Sequence, residues 1–90
     1  MASTASRAAV AASATAVTLK AANPGRKGLV VYNDSAVTLY VGYGLTTTTT
    51  DFTYKVLGGG TYEMPEPIFN GLVQGIWDSA SGNARVTEIT

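Results

Sequence analysis

Arg26-Lys27-Gly28-Leu29-Val30-Val31-Tyr32-Asn33-Asp34-Ser35-Ala36-Val37-Thr38-Leu39-Tyr40-Val41 is the stretch whose reading decides the fold. Two runs rich in β-branched and aromatic residues flank an Asn-Asp-Ser turn signal, and such side chains favour a pleated, half-buried surface. The spacing predicts a hairpin. Leu29 and Val31 fall on one face of the first run and Val30 and Tyr32 on the other, so that strand is expected to be central in its sheet. Val37, Leu39, Val41 and Tyr43 share a face opposite Thr38, Tyr40 and Gly42, the alternation of a strand with one buried side.

Outward from this stretch the chain punctuates itself at short intervals. Upstream, Val17 and Leu19 alternate with Thr18 and Lys20 ahead of Asn23-Pro24-Gly25, a turn in which Pro presets φ and Gly accepts positive φ. Downstream, Thr46-Thr47-Thr48-Thr49-Thr50-Asp51 has no apolar partner residues and is expected to be an exposed loop that tolerates insertion. Phe52, Tyr54 and Val56 then alternate with Thr53, Lys55 and Leu57 until Gly58-Gly59-Gly60 breaks the pattern. Thr61-Tyr62-Glu63-Met64 is a short strand stopped by Pro65, with Pro67 close behind, which bars it from the middle of a sheet. Leu72-Val73-Gln74-Gly75-Ile76-Trp77 is apolar on both faces, and after the polar cluster 78–83 a last strand runs from Ala84 to Ile89. About seven short strands without helical periodicity predict an all-β domain over residues 16–90, a small antiparallel sandwich or barrel, with neighbours in sequence paired as a meander. Its expected core is Leu29, Val31, Leu39, Val41, Phe52, Val73, Ile76 and Trp77.

Residues 1–15 read differently. Apart from Met1, Arg7 and Val10 they are Ala, Ser and Thr, too weakly apolar to order themselves by burial. They are expected to form an extended arm outside the β-domain, ordered only on a neighbouring subunit. Ala8-Ala9-Val10-Ala11-Ala12 lacks the Leu, Ile and Phe of a secretory signal, and the strand-like Ala16-Val17-Thr18-Leu19 follows at once.

Composition narrows the functional classes. Six basic and six acidic residues cancel, so the chain carries no broad electrostatic footprint for nucleic acid or an anionic membrane, and neither partner is expected. With no Cys and no His, disulfides, thiolate metal sites, a cysteine nucleophile and the commonest base are all missing. No apolar run approaches the roughly 18 residues that span a bilayer. A chain of 90 residues buries only about 60–65% of its unfolded surface, so association with a partner would add to a thin stability margin.

The remaining motifs carry little chemistry. Gly58-Gly59-Gly60 lacks the following helix that a phosphate cradle requires, and Gly42-Tyr43-Gly44 reads as a bulge or close backbone approach. Glu63 and Glu66 straddle Pro65 without being forced into a shared cleft. Asp78, Ser79, Ser81 and Asn83 lack the closing Glu of a calcium loop and read as a turn. No catalytic, cofactor or metal residue is assigned, and the chain is expected not to be an enzyme. The candidate partner contacts are the basic pair Arg26 and Lys27, with Arg7 and Val10 on the arm.

The stretch from Arg26 to Ser35, with Leu39-Tyr40-Val41, resembles a family of small virion proteins of tailed bacteriophages. Gly59-Gly60-Thr61-Tyr62-Glu63-Met64-Pro65 is similar to that family's Gly-Gly-x-Tyr-Glu-x-Pro element, Gly75-Ile76-Trp77 to its penultimate strand and Ala84-Arg85-Val86-Thr87-Glu88 to its terminus. The resemblance covers about residues 17–89 and implies a capsid decoration or cement protein on the outside of the virion, bound to the major capsid protein lattice and stabilising the head. It implies no catalytic residues and no cofactor. Analogy with other capsid decorations suggests a homotrimer. Tail, neck or baseplate parts share such β-modules, and a glycan-binding module is the alternative from another class. In a glycan binder Tyr62 and Trp77 would stand on an exposed platform, whereas in a structural module they would point inward.

Overall fold

Asn33 determines where the chain goes after the first apolar run. In the computed structural model, which describes residues 3–90, its side chain is wholly buried and every polar atom is used. Nδ2 donates to the carbonyls of Val37 (2.8 Å) and Val56 (3.0 Å), while Oδ1 accepts from Ser35 Oγ (2.8 Å) and Trp77 Nε1 (3.2 Å). Two donors and two acceptor sites exhaust an amide's capacity, so the group is buried without an unpaired atom. Because these partners belong to segments that flank a different sheet, the chain does not turn back on itself at 34–38 but crosses the core.

Among the described residues the result is eight strands: β1 (Ala5–Ala11), β2 (Val17–Lys20), β3 (Gly28–Asp34), β4 (Leu39–Tyr43), β5 (Tyr54–Val56), β6 (Thr61–Glu63), β7 (Val73–Trp77) and β8 (Asn83–Ile89). They form two antiparallel sheets, ordered β1-β8-β3-β6 and β2-β7-β4-β5. Pairing is nested: β1 with β8, β2 with β7, β3 with β6, and β4 with β5. That wrapping is the double-sheet jelly roll, a β-sandwich.

Three expectations need correction. The predicted hairpin over 28–43 is absent, since β3 and β4 lie in different sheets, and β4–β5 is the single sequential pair that a meander would repeat throughout. An Asn-Asp-Ser turn serves a crossing between sheets as well as it serves a hairpin, and the side-chain bonds of Asn33 select the crossing. Within the expected arm 1–15, residues 1 and 2 lie outside the described residues, and residues 5–11 are not waiting for a neighbour: they form β1, in register with β8 from Ala5↔Ile89 to Ala11↔Asn83. The segment is extended as expected, but it is held by backbone hydrogen bonds to β8, with Val10 alone of its seven residues partly buried.

The third correction concerns the threonine run. Gly44 (φ 92°) turns the chain so that the segment after β4 folds back over the outer face of the second sheet. Thr47 is buried there, its N–H donating to Gln74 Oε1 at 3.2 Å, and it lies directly over Gly42, where any Cβ would collide with it. Phe52 belongs to this flap: it is partly exposed and tilts against Tyr40 at 4.9 Å between ring centres, outside the core it was expected to fill.

The rest of the predicted core stands. Leu29 and Val31 of β3 face Leu39 and Val41 of β4 and Val73 and Trp77 of β7, joined by Leu19, Val56, Tyr62, Met64, Ala84 and Val86. Ile76 is also buried, but strand alternation puts it on the other side of β7 from Trp77, opposite Tyr40.

Candidate functional site

Arg26 was expected to reach a partner, yet its side chain is sealed inside the fold. It precedes β3 in the turn after Asn23, and its Nε donates to Glu88 Oε2 at 2.9 Å with both side chains nearly inaccessible to water. Nη1 donates to the carbonyls of Phe69 (2.7 Å) and Gly71 (3.0 Å), and Nη2 to that of Ala21 (2.7 Å). One guanidinium thus ties the 21–26 turn, the approach to β7 and the end of β8. Asn23 Nδ2 donates to Glu88 Oε1 at 3.1 Å, and Lys20 Nζ stands 4.0 Å from the same oxygen. Burial pushes the Glu88 carboxyl up, but the hydrogen bonds from Arg26 and Asn23 and the nearby cations outweigh it and hold the group below its ordinary range.

Glu88 was missed as a structural charge, although a signal existed. In Ala84-Arg85-Val86-Thr87-Glu88 a period of two puts Glu88 on the Ala and Val face, and a carboxylate on a buried face demands a cation.

The other three partner candidates separate. Val10 is half-buried against the core. Lys27 is exposed, and its backbone N–H donates to Ile89 O at 2.7 Å, prolonging the β3–β8 ladder. Arg7 stands exposed on the outer face of β1, opposite Thr87. It flanks a shallow, open depression of about 370 Å³ with Ala8, Ala9, Arg85, Val86 and Thr87. Of its lining residues, Arg85 pairs with Asp34 at 3.3 Å. No carboxylate lines it, so a general acid or base would have to come from elsewhere.

Tyr62 and Trp77 both point inward and are buried, so the aromatic platform of a glycan binder is not built from them. Tyr62 instead meets the hydroxyl of Tyr43 and packs on Tyr54 at 4.6 Å, while Tyr43 stacks on Phe69 at 4.7 Å. Glu63 and Glu66 are exposed, and Asp78 to Gly82 form the predicted turn region.

Among the surfaces left open to a partner is β1. Six of its seven residues are exposed. Thr4 and Thr90 exchange N–H···O bonds of 3.0 and 2.8 Å, and Ala12 N donates to Gly82 O at 3.0 Å, so the even-numbered residues turn their backbone groups toward β8. By alternation, Ala5, Arg7, Ala9 and Ala11 turn theirs to the free edge.

No protein-family model matches the chain, and no curated protein matches it in sequence. Among solved structures it is similar to a chain from Bacillus endospore appendages, which form a novel family of disulfide-linked pili. The TM-score is 0.55 at 17% identity, over 98% of this chain and 85% of that one. At that identity the likeness concerns the sandwich fold.

Proposed function

We propose that this chain is a structural protein of a tailed-bacteriophage virion that decorates the capsid, binding the major capsid protein lattice and stabilising the head. The observation that carries the reading is the way the motifs of the phage-family resemblance meet in space. Arg26, in the first motif, holds Glu88, in the last; Asn33 accepts from Trp77 of the penultimate-strand motif; and Val31 pairs with Tyr62 of the Gly-Gly-x-Tyr-Glu-x-Pro element. Residues scattered across the sequence thus specify one scaffold, local and long-range preferences agreeing. Their chemistry is spent inside the fold, leaving the sheet faces and the β1 edge for contact with a particle. The endospore-appendage neighbour has the same architecture serving an assembly, although this chain, without cysteine, has no means of a disulfide linkage.

The test is compositional and mechanical. Heads purified on density gradients are expected to contain the chain in a fixed ratio to the major capsid protein, and heads lacking it are expected to lose their genome at lower temperature until purified protein is added back. Its absence from purified heads, or its presence only in tail or baseplate fractions, would overturn the capsid assignment. Inward Tyr62 and Trp77 count against the glycan-binding alternative.

A further inference from the structure

A sheet edge is a row of unpaired donors and acceptors, and folded proteins guard such rows with short strands, bulges, proline or charge. Three of the four edges here are guarded. β6 has three residues and is followed by Pro65 and Pro67; β5 has three and carries Lys55; β2 has four, ends in Lys20 and is interrupted by a register shift between Thr18 and Lys20. The fourth, β1, is seven residues long, runs in unbroken register, contains neither Pro nor Lys and is alanine at every position that faces the free edge except Arg7.

We propose that this edge is the docking site for β1 of a second copy, the two strands pairing antiparallel about a twofold axis so that their four-stranded sheets join into one. The occupant follows from self-complementarity. Edge-directed backbone groups sit at residues 5, 7, 9 and 11, so an antiparallel twin must match odd with odd. Pairing Ala5 with Ala11 and Arg7 with Ala9 uses every free group on both strands, each pair exchanging two bonds. Sliding by two residues one way sets Arg7 opposite Arg7 of the other copy, a like-charge pair that cross-strand packing penalises; sliding the other way sets Ala9 opposite Ala9, and either slide leaves bonds unmade. In the favoured register the facing residues are Ala with Ala, Ala with Arg, and Ser6 with Val10, so nothing obstructs close approach. The axis passes midway between the two copies of Ala8, an exposed residue that faces its twin. Pairing is isologous and closed, a dimer in place of the trimer that analogy suggests, and it does not depend on the capsid reading.

The wild-type chain at on the order of 100 μM, where weak interfaces are populated, is expected to sediment as a dimer. Ala9→Pro removes an edge-directed N–H without touching the β1–β8 bonds and is expected to raise the dissociation constant at least about tenfold while circular dichroism stays unchanged. The natural chain has no cysteine, so single thiols report the register. Across the axis the Cα atoms of position 8 lie at the roughly 4.5 Å of a non-hydrogen-bonded pair, within disulfide reach, whereas those of position 9 lie about 8–9 Å apart. Ala8→Cys is expected to oxidise to a covalent dimer and Ala9→Cys to stay monomeric on a denaturing gel. A monomeric wild type at that concentration, a dimer indifferent to Ala9→Pro, or equal crosslinking of both thiols would overturn the proposal; a monomer that gains only a strand from another protein would do so as well.

Discussion

Replacing Arg26 by Ala separates a structural from a contact role for this residue. The substitution leaves Glu88 buried without its main cation and strips the carbonyls of Ala21, Phe69 and Gly71 of their donor. Removing one partner of a buried ion pair costs about 3–5 kcal/mol, because the remaining charge stays desolvated and uncompensated. Each orphaned carbonyl that water cannot reach adds to this, though relaxation of the 21–26 turn would admit some water, so about 3–5 kcal/mol is the working figure. A domain of this size has on the order of 5–15 kcal/mol in total, and each 1 kcal/mol moves Tm by roughly 4–8 °C. Arg26→Ala is therefore expected to lower Tm by on the order of 15–30 °C in a calorimetric scan, with a matching fall in the urea midpoint. Arg26→Met paired with Glu88→Met, which removes both charges and keeps volume, is expected to recover much of the loss. A Tm within about 5 °C of wild type for Arg26→Ala would refute the clamp and return Arg26 to the surface.

The same network makes stability pH-dependent. Glu88 has a lower pKa folded than unfolded, so the folded chain binds fewer protons and the contribution, complete above the ordinary carboxyl value of 4.5, is lost as pH falls through the lowered one. Urea midpoints at pH 6.5 and pH 3 are expected to diverge in the wild type and much less in Glu88→Gln; equal acid sensitivity in the two would remove Glu88 as the source. Asn33→Ala leaves Trp77 Nε1 in the core without its acceptor, takes one donor each from the Val37 and Val56 carbonyls, and is expected to cost about 2–4 kcal/mol by urea denaturation, whereas a loss below about 1 kcal/mol would mean that the crossing between sheets does not rest on this amide.

Alternation made much of the fold legible. It identifies Leu29 and Val31, Leu39 and Val41, and Val73 and Trp77 as inward-facing, because a strand's side chains divide between two faces whatever it pairs with. Pairing was not legible, since the signal at 33–35 is local while the partners that decide it, Val56 and Trp77, lie far along the chain. Phe52 misled because it continues the alternation of β5, although the strand begins only at Tyr54 and the preceding residues fold across Tyr40. Arg26 misled for a related reason. A basic pair beside a strand looks solvated until the carboxylate 62 residues away is seen to lie against it. β1 was invisible because its order comes from backbone bonds, on which composition is silent.

The nesting of β1 against β8 also bears on how the molecule is made. β8 is the strand between β1 and β3, so the first sheet has no centre until residues 83–89 have left the ribosome. Until then β1, the earliest strand to emerge, has no place to lie, and β3 has only the short β6 beside it. Contacts between such distant segments form slowly, because the loop entropy is paid before the pairing rewards it. The delay has a cost: until β8 arrives the edge of β3 that it will cover stands open, the kind of unpaired edge through which nascent chains crowded on one messenger associate, so the last strand made is the one that closes the molecule against its neighbours.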